Sequence, residues 1–75
     1  MPELRVMSGR DVCRILAAHG FSQVRQRGSH IIMQRQQSGG TTTVPVPDHD
    51  EIRRGTLRSI IRQSGLPRDL FEVLR

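Results

Sequence analysis

The fold is decided by residues 21–47, which read FSQVRQRGSHIIMQRQQSGGTTTVPVP. Three runs within this stretch are rich in β-branched and other strand-favouring residues, and they are separated by Gly28 and by residues 38–40. Short glycine-containing breaks between such runs are typical of hairpin turns, so the stretch predicts three short antiparallel strands. Because proline donates no backbone hydrogen bond to a ladder, Pro45 and Pro47 are expected to end the third strand.

A first helix is predicted before these strands, over about residues 9–19. Ser8 can cap its first turn, Asp11 stands three residues later as in a capping box, and Gly20 can end it. Residues at the i, i+3, i+4 and i+7 positions form its apolar side: Val12, Ile15, Leu16 and His19. This spacing places His19 in the last turn, where it is expected to be partly buried.

A second helix is predicted after the strands and is expected to end at Gly65. Its apolar side is formed by Leu57, Ile60, Ile61 and Ser64. Its other side carries an arginine stripe at spacings of four, namely Arg54, Arg58 and Arg62. No acidic residue between Arg53 and Arg68 neutralises this stripe, so it is either a solvated face or a surface that contacts phosphates.

The order of these elements predicts an α+β fold: helix, three antiparallel strands, helix. Pro67 can begin a short C-terminal helix that runs through Phe71 to Leu74. The 75 residues are enough for only one core, so residues 1–75 are expected to form a single domain. Two amphipathic helices can cover one face of a three-stranded sheet and leave its other face free.

Several protein classes are excluded by composition. The one cysteine, Cys13, cannot form an internal disulfide, and the three histidines lack the spacing of metal ligands. A disulfide miniprotein and a zinc finger are therefore excluded, and no metal or cofactor is expected. The sequence holds no run of 18 apolar residues, so no membrane span is expected, and no apolar block follows a basic N-terminus, so no secretory signal is expected. A reducing cytoplasm is the expected location.

The positive charge of the chain indicates a nucleic-acid partner. All twelve basic residues are arginine, against seven acidic residues, which gives a net charge of +5. Arginine forms paired hydrogen bonds with phosphate and stacks on bases, although the same charge could serve solubility alone. With only Phe21 and Phe71 as aromatic residues, a platform that stacks single-stranded bases is not expected.

His30 is the candidate catalytic residue, because it follows the Gly28 turn and shares a hairpin with three arginines: Arg25, Arg27 and Arg35. RNA is cleaved when a base removes the 2′-hydroxyl proton and the oxygen attacks the adjacent phosphate. Histidine has an ordinary pKa suited to this step, and nearby cations stabilise the charge that grows on the phosphate. A solvated turn histidine is the plain alternative. His49, between Asp48 and Asp50, is either a loop histidine or a second proton-transfer group.

Four segments of the sequence resemble the HicA toxin family, in the family's order and over nearly the whole chain. They are residues 20–21 (GF), 24–30 (VRQRGSH), 46–51 (VPDHDE) and 55–66 (GTLRSIIRQSGL). The Gly-Ser-His turn is a short motif, whereas the Gly-Thr-Leu-Arg-Ser-Ile helix is far more specific. The resemblance implies a double-stranded-RNA-binding-domain-like fold, with two helices on a three-stranded antiparallel sheet. It also implies cleavage of mRNA without a metal, by the histidine of the Gly-Ser-His turn, and neutralisation by a HicB antitoxin that binds over that region.

The sequence departs from the family pattern at three positions. Many members have a second histidine directly after the first, where this chain has Ile31, so His49 becomes the better candidate for a second proton-transfer group. Ile52 stands where leucine is common, and Ser64 replaces a frequent alanine.

Two main hypotheses follow, an endoribonuclease toxin with His30 as general base and a non-catalytic RNA-binding module of the same fold. A pure protein-interaction domain is a weaker third hypothesis. The residues expected to contact RNA are Arg25, Arg27, Ser29, Arg35, Arg54, Arg58 and Arg62. Within this set, the arginines of the second helix could instead contact the antitoxin.

Overall fold

The computed structural model describes residues 1–74, the side chain of Leu74 excepted, and confirms the α+β fold with its helix–three strands–helix order. The elements are β1 (Pro2–Leu4), α1 (Gly9–Ala18), β2 (Ser22–Arg27), β3 (His30–Gln37), β4 (Gly40–Pro47), α2 (Arg54–Ser64), a 3-10 turn (Arg68–Phe71) and β5 (Glu72–Leu74). None of the helices in this part of the chain is long and apolar enough to cross a membrane.

Helix α1 begins with the predicted capping box. The Asp11 amide donates to Ser8 Oγ at 3.0 Å, and the Ser8 amide donates to Asp11 Oδ2 at 3.2 Å. Both bonds satisfy amides that a helix start leaves unpaired. The expectation that His19 is partly buried is wrong: the helix ends at Ala18, and His19 caps its C-terminus with an exposed side chain.

Strands β2, β3 and β4 form one antiparallel sheet with β3 in the centre. Both hairpins have two-residue loops, since Arg27 pairs with His30 and Gln37 pairs with Gly40. Strand β4 ends at Pro47, as expected, but Pro45 lies inside the ladder opposite Ile32, so the expectation is wrong for Pro45. An outer strand accommodates proline where the missing amide would have faced away from the ladder, and β4 is an outer strand.

The two faces of this sheet differ completely in their covering. Helix α1 packs on all three strands and α2 packs on β4, both on the face that carries Ile31 and Met33. The buried cluster on this side comprises Leu4, Met7, Val12, Leu16, Phe21, Ile31, Met33, Val44, Val46, Ile52, Leu57, Ile60, Ile61 and Phe71. Because side chains alternate along a strand, His30, Ile32 and Gln34 lie on the other face. We call the first the helix face and the second the open face.

The start of α1 lies directly against the end of β4, at Gly9. The Gly9 amide donates to the His49 carbonyl at 2.9 Å, and a Cβ at position 9 would lie only 2.0 Å from the Pro47 carbonyl oxygen. No residue larger than glycine fits this approach without a shift of backbone. Gly9 therefore fixes the distance between α1 and the segment that follows β4.

The first and last strands pair with each other, which the sequence did not predict. Strand β1 is antiparallel to β5, with Pro2 opposite Leu74, and the Arg5 amide donates to the Phe71 carbonyl at 2.8 Å. The predicted last helix is therefore wrong in extent: only a 3-10 turn forms, which ends at the fully buried Phe71, and the chain then becomes a strand.

Candidate functional site

The turn between β2 and β3 places His30 on the open face. Gly28, the first of two loop residues, has a φ of +59°, and no non-glycine residue in the described chain has a positive φ. A positive φ at the first loop position alone is the pattern of a type II′ hairpin, which follows the natural twist of the strands. His30 is the first residue of β3, and its side chain is exposed.

Two arginines lie beside His30 on this face. Arg27 is directly opposite His30 on β2, and Arg25 is opposite Ile32, the next open-face residue of β3. Directly opposite residues of an antiparallel pair have Cβ atoms about 4.5–5.5 Å apart. Within residues 1–74, neither arginine has an ion-pair partner, since the three ion pairs there involve Arg10, Arg14 and Arg68. This end of the open face therefore combines one imidazole with two uncompensated guanidinium groups.

Ile32 is a buried apolar residue on this part of the open face. It is only 6% exposed although it lies outside the main core cluster, and its cross-strand neighbours are Arg25 and Pro45. An arginine side chain can cover apolar surface with its methylene groups while its charged end stays in water. The methylene groups of Arg25 can therefore lie over Ile32, which leaves the guanidinium group of Arg25 in solvent.

The segment after β4 is bonded to the turn that precedes His30. The Asp48 amide donates to the Ser29 carbonyl at 2.6 Å. The Asp48 carboxylate accepts from Arg10 Nη2 at 3.3 Å and from Gln26 Nε2 at 3.5 Å, and the same Gln26 amide donates to the Gly28 carbonyl at 3.3 Å. Sequence reasoning missed this role of Asp48 and Gln26, because no local pattern marks a contact across 22 residues.

His49 follows Asp48 and is exposed at the same end of the sheet. The backbone brings it near His30 in two ways: Pro47 pairs with His30 across the ladder, and Asp48 bonds to Ser29. The structure therefore places His30, Arg25 and Arg27 at one end of the open face, with Ser29 in the adjacent turn and the backbone of His49 close to that turn.

Arg35 lies on the opposite face, so the expectation that it shares a surface with Arg25 and Arg27 is wrong. Its Nη1 donates to the His19 carbonyl at 3.2 Å, its Nη2 donates to the Ser64 carbonyl at 3.3 Å, and its guanidinium carbon lies 4.8 Å from the centre of the Phe21 ring. The two carbonyls are at the C-terminal ends of α1 and α2, where the helix dipole favours a cation. The side chain of Arg35 joins both helices to β3.

The arginine stripe of α2 forms a second basic surface, separate from His30. Arg54, Arg58 and Arg62 are exposed, and in the described chain their one polar contact is from Arg62 Nη2 to Ser59 Oγ at 3.4 Å. Because α2 packs on β4 from the helix face, the stripe does not lie on the open face. The acidic residue Asp48 forms its ion pair with Arg10 of α1 and not with this stripe.

The Cys13 thiol is not assigned a role in this site, because its surroundings keep it protonated. Burial is the main cause that raises the pKa of its thiol, and the negative charge of Asp48 adds to the effect, so the thiol stays protonated near neutral pH. No group of three or more His, Cys, Asp or Glu side chains that could hold a metal ion occurs within residues 1–74.

Comparison with known proteins finds one family match. A family described as the HicA toxin of bacterial toxin–antitoxin systems matches residues 9–66. The matched range contains both helices, the three-stranded sheet, the turn before His30 and the α2 arginine stripe. A search of curated proteins finds no match. Since the family match covers most of the 75 residues, this chain belongs to the HicA toxin family of bacterial toxin–antitoxin systems.

Proposed function

We propose that this protein is an endoribonuclease toxin that cleaves mRNA without a metal ion, with His30 as its catalytic residue. Membership of the HicA family supports the role of toxin and an antitoxin partner of the HicB type. The chemical part of the proposal rests on one observation: an exposed histidine stands beside two arginines whose charges no carboxylate in the described chain neutralises.

In the first step, His30 removes the proton from a ribose 2′-hydroxyl of the bound RNA. The 2′-oxygen then forms a bond to the adjacent phosphorus, and the bond from phosphorus to the 5′-oxygen of the next nucleotide breaks. Arg25 and Arg27 stabilise the negative charge that grows on the phosphate oxygens, because guanidinium groups on a fixed strand need little reorganisation. The exposed Ser29 hydroxyl adds a hydrogen bond to the same phosphate.

The leaving 5′-oxygen takes up a proton as the bond to phosphorus breaks. His30 carries the proton taken from the 2′-hydroxyl and can return it, acting as base and then as acid. His49 is the second candidate for this transfer, because the Asp48–Ser29 bond holds its backbone at the same end of the sheet. The products are a 2′,3′-cyclic phosphate and a 5′-hydroxyl.

The second basic surface has a different proposed role. The stripe of Arg54, Arg58 and Arg62 contacts either flanking phosphates or the antitoxin, on the other side of the sheet from His30. Arg35 is removed from the set of RNA contacts, because its guanidinium is bonded to the ends of two helices. A HicB antitoxin that covers the His30 region would block the access of mRNA to His30. The cytoplasm is the proposed place where toxin, antitoxin and mRNA meet.

A non-catalytic RNA-binding module remains the second candidate, and one observation favours it. Within residues 1–74, the His30 imidazole has no hydrogen-bond partner that would orient it, unlike a base held by a third group. Such a module would hold RNA through the same arginines and leave its length unchanged.

A cleavage assay separates the two candidates. Wild-type protein and His30→Ala are incubated with a long mRNA in excess EDTA, beside His19→Ala as a matched control, since His19 is exposed and uses only its backbone groups. Loss of a general base costs about 10²–10⁴ in rate, so His30→Ala should be almost inactive and His19→Ala fully active.

Folding of each variant is checked by circular dichroism. Equal cleavage by folded His30→Ala would overturn the catalytic role. Intact RNA with every variant, together with a shifted band in a gel, would support the binding module instead.

A further inference from the structure

The open face has a second region, which the proposed reaction does not use. At the end of the face away from His30 lies a depression of about 370 Å³, lined by Gly20, Ser22, Val24, Gln34 and Gln36. No charged side chain lines it, whereas the His30 end carries Arg25 and Arg27. The face is therefore divided into a cationic end and an uncharged end that offers amides and a hydroxyl.

An irregularity in β2 shapes one wall of this depression. The register between β2 and β3 shifts between Gln23 and Arg25, so Val24 is an extra residue without a partner on β3. A β-bulge of this kind redirects a side chain, and bulges are common beside functional sites. Val24 is 45% exposed and lines the depression, which gives the uncharged end an apolar wall.

The side-chain amide of Gln34 is held by a hydrogen bond across the sheet. Its Nε2 donates to Thr43 Oγ1 at 3.2 Å, and the side chain is half-buried. This bond orients the amide and leaves its carbonyl oxygen and second N–H available to a ligand. The side chains of Ser22 and Gln36 are exposed, and neither has a hydrogen-bond partner in the described part of the chain.

We propose that this depression binds one unpaired nucleobase of the RNA substrate and so selects the sequence next to the cut, an inference that rests on the proposed function. An uncharged lining of amides, a hydroxyl and an apolar wall fits the hydrogen-bonding edge and flat surface of a base. It does not fit a phosphate, which needs the cations found at the other end.

The position of the depression also fits this role. Gln34 is four residues from His30 along β3, a distance of about 13 Å at the usual rise per residue. Arg25, opposite Ile32, lies between the two along the strand direction. An RNA strand that follows β3 would therefore place a phosphate at Arg25 while its bases reach the depression and its ribose reaches His30.

The test maps the cut sites on a long mRNA for three proteins: wild type, the double variant Gln34→Ala/Gln36→Ala, and Gln23→Ala. Gln23 is the matched control, because it is an exposed glutamine of the same sheet opposite Met33, on the helix face. Wild type and control should prefer one base at a fixed position beside the cut by about tenfold. The double variant should lose that preference, so that the ratio of cuts at preferred to other sites falls from about tenfold towards one.

Two results would overturn the inference while the proposed function stands. One is a double variant that keeps the wild-type preference, and the other is a wild type that cuts with no base preference at any position. Both require cleavage that depends on His30.

A binding measurement tests the depression when cleavage fails. Titration of His30→Ala protein with four short single-stranded RNAs that differ at one base gives affinities without turnover. Base-dependent affinity that the Gln34/Gln36 change removes would support the depression, and four equal affinities would overturn it. Absence of His30-dependent cleavage by wild type overturns only the proposed function.

Discussion

The helix face and the open face of the sheet carry alternate residues of the same strand, β3, and these residues have different surroundings. Residues 31, 33 and 35 of β3 point to the helices, and residues 30, 32 and 34 point to the open face. Arginine occurs on both faces with opposite roles. Arg35 contacts two helix ends and a ring, whereas Arg25 and Arg27 have no ion-pair partner in the described chain. The side of the strand, and not the residue type, decides whether an arginine here is bonded within the fold or is left without an ion-pair partner in the described chain.

The largest effect is expected on the helix side of the sheet, at Gly9, the first residue of α1. Gly9→Ala should destabilise the protein by about 1–3 kcal/mol, because a methyl group would meet the Pro47 carbonyl oxygen and force the backbone apart. Urea unfolding measures the change. Gly55→Ala is the matched control in α2, where a Cβ meets nothing within 4 Å, and it should stabilise by about 0.5–1 kcal/mol. Equal effects of the two variants would contradict the close contact at Gly9.

Arg35 should matter more to stability than its exposure indicates. Arg35→Ala removes two hydrogen bonds from a charged group and one ring contact, with an expected loss of about 2 kcal/mol in the free energy of unfolding. Arg35→Lys should recover only part of this loss, since an ammonium lacks the planar fork that reaches both carbonyls. Full recovery by lysine would show that charge alone is needed there.

The open-face arginines should show the reverse behaviour. Arg25→Gln/Arg27→Gln should change the free energy of unfolding by less than about 0.5 kcal/mol per residue, since neither side chain has an ion-pair partner among residues 1–74 and glutamine keeps methylene groups over Ile32. The slope of log affinity for single-stranded RNA against log salt should become shallower by about 1.4, at roughly 0.7 per lost contact. Fluorescence titration measures the slope. An unchanged slope would indicate that the RNA phosphates contact the arginine stripe of α2 instead of Arg25 and Arg27.

The smallest expected effect concerns pH and the start of α1. Hydrogen bonds from the Ser8 amide and hydroxyl lower the pKa of Asp11 below its ordinary 3.8. A carboxyl whose pKa falls on folding stabilises the fold above its unfolded pKa, and the stabilisation is lost as pH falls through the folded value. Asp11→Asn should therefore lower the Tm at pH 6 and have less effect near pH 2.

Asp50→Asn serves as the matched control for this pH series. Asp50 is exposed and makes no hydrogen bond or ion pair in the part of the chain described. A Tm difference for Asp11→Asn that does not shrink in acid would contradict the capping role of its charge.

Features that depend on near neighbours could be predicted from the sequence. The Ser8–Asp11 capping box, the turn at Gly28 and the stripe of α2 are each contained in a few residues, and each is present as predicted. The face assignment in β3 could not be predicted, because Ile31, Ile32 and Met33 are all buried. Ile32 is buried on the open face, so hydrophobicity alone does not show which side the helices cover.

The sequence did not predict the contacts between residues that are distant along the chain. Arg35 contacts backbone at His19 and Ser64, and Asp48 bonds to Ser29, through groups that every residue possesses. A backbone carbonyl leaves no mark in a sequence, so only the fold reveals which carbonyls converge. The role of His30 in catalysis remains a prediction, since neither the fold nor the family match tests it.

The pairing of β1 with β5 has a consequence for the order of folding. The hairpin that carries His30 has a two-residue loop, and such hairpins form in about 1–10 μs. Strands β1 and β5 close nearly the whole described chain into one loop, and the entropy cost of closing a loop grows with its length. We expect contacts of this range to form late, so the hairpin that carries His30 should form before the two ends meet. Opening of the ends should then leave the three-stranded sheet in place.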